Sequence, residues 1–199
     1  MVYNEFKNKY MGVTGFSINL LEKYKGDSKS VCELGAQNLY DKDYGTEKGP
    51  YANVYYNSNG IEYTFIDVSK ENNSLDIDLS KPQTFTEVYD LVTDFGTSEH
   101  VSDSYNCAKA IHDLVKVGGT VIQENPKTGN WPGHGFHYKT KAFYEKLASS
   151  NGYEILELGE HPAMGNNTNG WNVYCVWKKI KDNNFISKAR FKELDLRSA

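Results

Sequence analysis

The sequence predicts an α/β fold: a doubly wound, mostly parallel sheet of seven strands that ends in an antiparallel hairpin. Short apolar segments alternate along the chain with segments of helical periodicity, a pattern typical of parallel strands connected by helices. The last two apolar segments are joined by a polar loop without a helical pattern. Strands joined in this way are most simply antiparallel neighbours, so we expect them to complete the sheet as a hairpin.

The predicted strands are short apolar runs bounded by glycine, proline or acidic residues. In chain order they cover residues 30–34, 62–68, 72–79, 89–94, 120–124, 153–158 and 171–177. The segment 72–79 follows its predecessor after too few residues for a full intervening helix. It is therefore either a strand on a short loop or a ligand-contacting loop with no strand of its own.

The predicted helices have apolar residues spaced by three and four positions. They cover residues 16–24, 50–58, 102–117, 140–150 and 187–194. Gly26 follows the first, Gly118 and Gly119 end the third, and Gly152 ends the fourth, because glycine readily adopts the backbone conformation that terminates a helix. The stretch 38–60 is rich in Tyr, Asn, Asp and Gly, and is less helical than a crossover between parallel strands should be.

The length of 199 residues suits one domain with a full core and is too short for two comfortable ones. The pattern divides the chain into an N-terminal helical extension (1–28), the sheet domain (29–179) and a C-terminal tail (180–199). The three cysteines show neither a disulfide framework nor a zinc spacing. We expect Cys32, Cys107 and Cys175 to be buried and reduced.

The charge and hydropathy of the chain limit its partners. A net charge of −4 argues against a nucleic-acid-binding surface and fits small or neutral substrates better than polyanions. No apolar run approaches the ~20 residues that a membrane-spanning helix needs. The first residues lack the basic and apolar pattern of a signal peptide, so the expected location is cytoplasmic, with no membrane partner.

The residues at the ends of two predicted strands indicate a ligand site. The first strand is followed by Gly35, where the backbone can turn sharply and a ligand can come close. The second ends at Asp67, whose carboxylate is suited to accept two hydrogen bonds from a ribose diol. Because open α/β sheets bind ligands at the carboxyl ends of their strands, the pair predicts a crevice for a nucleoside.

These segments together resemble a class I S-adenosylmethionine-dependent methyltransferase, with a Rossmann-like domain over 29–179. The matching segments, which span most of the chain in the family's order, are 33–37, 65–67, 76–79, 89–96 and 114–120, followed by the closing hairpin. The resemblance implies S-adenosylmethionine as the cofactor and methyl transfer as the reaction. A longer stretch, 96–101 with 111–114 and 134–136, is similar to a subgroup of methyltransferase-like proteins to which no substrate can be attached.

The resemblance also assigns candidate cofactor contacts. The methionine portion would lie against Glu33, Gly35 and Gln37, and the ribose diol against Asp67. The further cofactor-binding candidates are Asp76 and Ile77 at the adenine, and Asp94 and Phe95 after the fourth strand. For Asp67 the alternative is an ordinary acid that caps the next turn.

The acceptor should lie after the fourth and fifth strands. His100 is the candidate general base, since its unperturbed pKa lies near neutrality, and His134 is the second catalytic candidate. Glu99 and His137 are candidates for substrate binding. The alternative for His100 is a capping or solvent-facing residue at a helix start. His134 and His137 together with Glu124 are a low-specificity metal pattern, so no metal is expected.

Two departures from the family leave a second function open. The usual Gly-x-Gly is here Gly35-Ala36-Gln37, and the helix between the second and third motifs is nearly absent. The leading hypothesis is a methyltransferase that acts at oxygen on a small-molecule or carbohydrate-like acceptor. The alternative is a catalytically silent, methyltransferase-like binding or assembly module. A nicotinamide-dependent oxidoreductase fits less well, because Gly-x-Gly-x-x-Gly is missing.

Overall fold

The computed structural model describes residues 12–40, 51–68, 74–163 and 170–198. The chain enters through β1 (Gly12–Thr14), which leads directly into α1 (Gly15–Tyr24). Helix α1 begins where it does because Thr14 caps it: the Thr14 hydroxyl accepts from the Ser17 backbone N–H at 3.4 Å, and the Ser17 hydroxyl accepts from the Thr14 N–H at 3.2 Å.

The remaining elements alternate strand and helix through most of the chain. They are, in order, β2 (Ser30–Leu34), β3 (Asn38–Tyr40), α2 (Asn53–Ser58), β4 (Glu62–Ile66), β5 (Tyr89–Phe95), a 3₁₀ turn (Ser98–His100), α3 (Ser104–Leu114), β6 (Val115–Pro126), β7 (His137–Tyr138), α4 (Lys141–Asn151), β8 (Tyr153–Pro162), β9 (Trp171–Lys179), α5 (Lys188–Phe191) and β10 (Arg197–Ser198).

The central sheet has six strands in the order β4-β2-β5-β6-β9-β8. The first four are parallel, and β9 runs antiparallel to both β6 and β8. The predicted parallel core and antiparallel closing hairpin are therefore confirmed. Two short pairs lie outside this sheet: β1 pairs with β3, and β7 pairs with β10.

In the described residues the central sheet has six strands and not the predicted seven, and the described part of the segment 72–79 matches the second alternative, a loop with no strand of its own. From residue 74, where the description resumes, the segment beyond β4 pairs with it at one parallel bridge, between Ile66 and Leu75. Leu75 donates to the Phe65 carbonyl at 3.0 Å, but the Ile77 N–H turns back to the Leu75 carbonyl at 2.9 Å. The Asp78 carboxylate then accepts from the Ser80 N–H, which folds the segment into a turn. Local turns thus use the backbone groups that a strand would have needed.

The connections around the sheet differ from the prediction in three further places. The third predicted helix ends at Leu114, and β6 begins at the next residue, so the two glycines expected to stop the helix lie within a longer strand. In the crossover after β2, the first described element is the short strand β3. The helix predicted over 50–58 is present as the shorter α2, and Pro50 lies outside the described residues.

Each face of the sheet carries its own hydrophobic cluster. One face packs against α3, α4 and the chain's last segment, which contributes Phe185, Phe191 and Leu194. The other packs against α1 and α2, with Leu20 and Leu21 contributed by α1. Residues before position 29 and after position 179 therefore contribute to the core of the sheet domain.

The cysteines lie where the sequence predicts. Cys32, Cys107 and Cys175 are buried and unpaired by disulfides, and burial raises the pKa of each thiol. Among the helices of the described residues, none has the length and apolarity to span a membrane.

Candidate functional site

A cleft of about 340 Å³ opens at the carboxyl ends of β2, β4 and β5. Its volume lies within the ~300–1,000 Å³ typical of small-molecule sites. The residues that line it are Gly35, Ile66, Asp67, Val68, Ile77, Asp78, Leu79, Ser80, Thr97, His100, Val101, Ser102 and Phe136. Three parallel strands thus end at one cavity, as expected for a ligand site in an open α/β sheet.

The turn after β2 is built around Gly35. Its φ of +79° lies in the left-handed region that favours glycine, and its N–H donates to the Ile66 carbonyl at 2.8 Å. A Cβ atom at this position would overlap the Thr97 hydroxyl. Gly35 therefore allows the loop after β5 to lie directly against the turn after β2, and it lines the cleft.

The Gln37 side chain points inward, between the turn after β2 and the loop after β5. It is 5% exposed, and its amide nitrogen donates to the Leu34 carbonyl at 3.1 Å and to the Thr97 hydroxyl at 2.7 Å. The Thr97 hydroxyl in turn donates to the Leu34 carbonyl at 2.7 Å. In place of the expected second glycine, the chain has a side chain that ties two loops together and does not line the cleft.

Asp67 lies at the cleft and also caps a turn. It lines the cleft, and its Oδ2 accepts a hydrogen bond of 2.8 Å from the Ala36 backbone N–H. The acid at the end of β4 thus caps the turn after β2. A carboxylate has two oxygens and about four lone-pair positions, so it can accept several hydrogen bonds at once.

The loop 75–80 forms the wall beyond β4. Ile77 lines the cleft, whereas Asp76 is exposed and does not. Asp78 lines it instead, with its Oδ1 accepting from the Ser80 hydroxyl at 2.6 Å. This bond, together with the nearby Lys81 ammonium, lowers the pKa of Asp78 to about 2. The sequence prediction missed Asp78, although it belongs to the same motif as Ile77.

Glu33 and Phe95 lie on the sheet face that carries α1 and α2. Phe95 is 2% exposed and packs in the core, so the structure does not bring it to the cleft. Glu33 is fully buried, and its carboxylate accepts from the hydroxyls of Tyr63 at 2.6 Å, Tyr56 at 3.3 Å and Thr93 at 3.5 Å. Burial raises the pKa of Glu33 to about 8, against the effect of these donors.

Asp94 is the centre of a buried network on the opposite face and does not line the cleft. Its Oδ1 accepts from the N–H groups of Thr97 (3.2 Å) and Ser98 (3.0 Å), which shapes the loop after β5. Its Oδ2 lies 3.5 Å from the Lys139 ammonium and accepts from Asn125 at 3.2 Å. Although burial alone would raise the pKa of Asp94, the Lys139 charge and the hydrogen bonds hold it below its usual value.

The acceptor candidates come from two loops that meet beside the cleft. Glu99 and His100 lie in the 3₁₀ turn after β5, and His134 lies in the loop before β7. The Oε1 atom of Glu99 lies 3.8 Å from His100 Nε2 and 3.7 Å from His134 Nε2. Burial lowers the pKa of His100, which favours a neutral imidazole. His137 lies apart from them, with its Nε2 3.1 Å from the Ser102 carbonyl.

Glu124 lies on the other face of the sheet from these histidines. Its Oε1 accepts from Asn172 at 2.8 Å and lies 3.0 Å from His161 Nε2, and its Oε2 accepts from the Ser17 hydroxyl at 2.8 Å. The pattern that combined His134 and His137 with Glu124 is therefore not assembled.

No protein-family model matches the chain. No curated protein matches it by sequence. Solved structures do match, at 8–13% identity. One is the 1,6-didemethyltoxoflavin-N1-methyltransferase of Burkholderia thailandensis, with bound 1,6-didemethyltoxoflavin and S-adenosylhomocysteine: the TM-score is 0.59 and the identity 13%, over 82% of this chain and 76% of that one.

A second match is an O-methyltransferase from a trans-AT PKS multienzyme of Brevibacillus brevis in complex with S-adenosylhomocysteine, with a TM-score of 0.54 and 12% identity over 87% of this chain and 73% of that one. The chain has the class I S-adenosylmethionine-dependent methyltransferase fold. The [4+2]-cyclase SpnF matches too, with a TM-score of 0.61 and 12% identity over 82% of this chain and 79% of that one. The methyltransferase fold thus also occurs in a protein described by another activity, so function must be argued from the site.

Within this methyltransferase fold, the predicted site residues fall into three groups. Gly35, Asp67, Ile77 and His100 line the cleft, and Glu99 and His134 adjoin His100. Glu33, Gln37, Asp94 and Phe95 are buried in internal contacts. Asp76 and His137 lie outside the cleft lining. The prediction missed Thr97, because only the folded chain brings this loop residue to the cavity.

Proposed function

We propose that the protein is an S-adenosylmethionine-dependent methyltransferase that acts at oxygen on a small-molecule or carbohydrate-like acceptor. One observation carries the proposal: Gly35 and Asp67 line the same cleft at the ends of adjacent parallel strands. Gly35 lets the loop after β5 lie directly against the turn after β2 at the cleft, and Asp67 supplies acceptor atoms for a ribose diol. These features fit an adenosine-containing cofactor.

The cleft residues divide the binding of the cofactor between them. Asp67 would accept from the ribose hydroxyls, while Val68 and Ile77 supply apolar surface for the adenine. Asp78 is a candidate to accept from the adenine amino group, since its carboxylate stays ionised. Gln37 acts beneath the cofactor by fixing the turn that contains Gly35, and Glu33 anchors β2 through the hydroxyls of Tyr56 and Tyr63.

The bound cofactor supplies an electrophilic methyl group. The chain's task is to hold the acceptor in line with that methyl and to remove the proton of the acceptor hydroxyl. His100 is exposed at the cleft and favours the neutral form, so its imidazole can accept that proton. The preference for oxygen rests on this base and on the chain's net negative charge.

The experiment is calorimetric titration with S-adenosylmethionine and S-adenosylhomocysteine of the wild type, Asp67→Ala and Asp67→Asn. Hydrogen bonds to charged groups contribute about 1.5–3 kcal/mol each, so we expect both variants to bind at least about tenfold more weakly. Asn retains an oxygen for the Ala36 N–H, so a loss shared by both variants reflects the missing carboxylate. Asp27→Ala, at an exposed position, is the control. Unchanged affinity in both Asp67 variants would refute the assigned role.

A catalytically silent binding module is the second candidate. The observation that favours it is the turn after β2, where Gln37 and Thr97 close the space that a second glycine would leave open. If the wild type binds neither S-adenosylmethionine nor S-adenosylhomocysteine, the methyltransferase proposal fails and this candidate replaces it.

A further inference from the structure

Three side chains beside the cleft converge on one point. One ligand atom from each of Glu99, His100 and His134 lies within 4.8 Å of the other two. We propose that these three residues bind a divalent transition-metal ion at the mouth of the cleft. The inference about the acceptor that follows rests on the proposed methyl transfer, whereas the metal site itself does not.

The spacing of the ligand atoms is close to that of a metal centre. Three ligands at about 2.1 Å from a tetrahedral ion are about 3.4 Å apart. Glu99 Oε1 lies 3.7 Å from His134 Nε2 and 3.8 Å from His100 Nε2. A shift of each Nε2 atom by a few tenths of an ångström would bring the two Glu99–histidine pairs to ligand separation, and rotation of the imidazoles would have to bring the two histidine atoms, which lie within 4.8 Å of each other, to the same spacing.

Glu99 has an oxygen that the described residues leave without a hydrogen-bond partner. Its side chain is 1% exposed, its Oε2 accepts from Asn125 at 3.2 Å, and its Oε1 is a buried atom with no hydrogen bond. Burial of a carboxylate oxygen without a hydrogen bond or a nearby cation costs free energy. A cation between Oε1 and the two imidazoles would offset that cost.

Backbone contacts hold the loop that carries Glu99 and His100 against the loop that carries His134. The Phe136 N–H donates to the Glu99 carbonyl at 2.8 Å, and a Cβ on Gly135 would stand 2.8 Å from the same oxygen, so only a glycine fits without displacing the loop. The His134 N–H donates to the Tyr138 hydroxyl at 2.9 Å. Since three ligands from two loops are fixed by contacts that need no metal, the site is preorganised.

The ligand set indicates the class of metal. Two imidazoles and one carboxylate suit Zn²⁺, Fe²⁺, Co²⁺ or Mn²⁺ better than Mg²⁺ or Ca²⁺, which prefer oxygen ligands. Three protein ligands also leave at least one coordination position open. The imidazole of His100 is 38% exposed and lines the cleft, so that position faces the space where an acceptor would lie.

The open position defines the acceptor chemistry. An acceptor hydroxyl that binds the ion would release its proton more readily, as metal-bound water does, and that proton would leave to solvent. With its Nε2 bound to the metal, His100 would no longer serve as the base. The inferred acceptor therefore carries an oxygen donor able to bind a transition-metal ion.

The test is metal binding by the full chain after treatment with a chelator. Zn²⁺ is titrated calorimetrically, and Co²⁺ is followed by the visible absorption of its d–d bands. We expect one ion per chain, and at least about 100-fold weaker binding in Glu99→Gln and in His134→Ala. His137→Ala removes a histidine of the same loop outside the cluster and should retain wild-type metal affinity. Circular dichroism establishes that each variant is folded.

Several outcomes would overturn the site: no binding of Zn²⁺ or Co²⁺ by the wild type, unchanged affinity in the two cluster variants, or an equal loss in His137→Ala. Titration with S-adenosylhomocysteine on the same samples separates the two proposals. Metal binding without S-adenosylhomocysteine binding leaves the metal site standing and removes the methyltransferase. The reverse result retains the methyltransferase and removes the metal.

Discussion

Glu33 offers the sharpest test of how burial shapes this fold. The proposed change is Glu33→Gln, which keeps the shape of the side chain and removes its ability to ionise. Because Glu33 is 0% exposed and its pKa is raised from 4.5 to about 8, the folded protein holds a proton there at neutral pH, whereas the unfolded chain does not. Folding is therefore accompanied by the uptake of one proton when the pH lies between 4.5 and about 8.

The sign and size follow from linkage. When the folded state binds more protons than the unfolded state, the free energy of unfolding falls as the pH rises, by up to about 1.4 kcal/mol per pH unit for one group. The effect is confined to the window between pH 4.5 and about 8. Between pH 5.5 and 7.5, wild type should lose about 2.5 kcal/mol of stability relative to Glu33→Gln.

The assay is urea unfolding of both proteins at pH 5.5, 6.5 and 7.5, followed by tryptophan fluorescence and circular dichroism. All other titrating groups are shared, so they cancel in the difference between the two proteins. Glu157→Gln is the matched control, because hydrogen bonds from Lys23 and Tyr24 lower the pKa of Glu157 and keep its titration below this window. Parallel stability curves for wild type and Glu33→Gln would refute the reasoning, since they would mean that the buried carboxyl binds no extra proton in the fold.

Two further predictions concern the packing beneath the cleft. Gly35→Ala should destabilise the protein by more than the roughly 1–2 kcal/mol that a left-handed backbone costs, because its Cβ would overlap the Thr97 hydroxyl. Gly60→Ala, at a similar φ of +69° with no atom within 4 Å, isolates the backbone cost, and equal losses in chemical denaturation would contradict the packing argument. Lys139→Met should cost about 3–5 kcal/mol, because it leaves the buried carboxylate of Asp94 without its cation. Adding Asp94→Asn should recover part of that loss, and a cost below about 1 kcal/mol in urea unfolding would show that the pair is not coupled as described.

Local patterns determined most of the architecture. Alternation of apolar strands with amphipathic segments was enough to predict the parallel core and the closing hairpin, because each strand must bury both faces and each helix one. The positions of Gly35 and Asp67 at the carboxyl ends of β2 and β4 were also readable, since strand order brings such residues to one edge. Element boundaries were less accurate, as the direct passage from α3 to β6 illustrates.

The chemistry within the cleft depended on contacts between distant segments. Nothing in the sequence shows that the Gln37 side chain donates to Thr97, or that the Asp94 carboxylate is buried in a hydrogen-bond network beside Lys139. Phe95 followed a strand as the motif required, but the alternation of side chains along β5 sends it to the opposite face from Asp94.

The cluster of Glu99, His100 and His134 shows the same division most clearly. The sequence by itself determined that Glu99 and His100 follow β5 and that His134 lies in the loop after β6, because strand periodicity sets both positions. Only the tertiary structure decided that His134, and not His137 or Glu124, faces Glu99. The physical reason is that hydrogen bonds between the two loops, and the absence of a side chain at Gly135, fix an approach that no local pattern encodes.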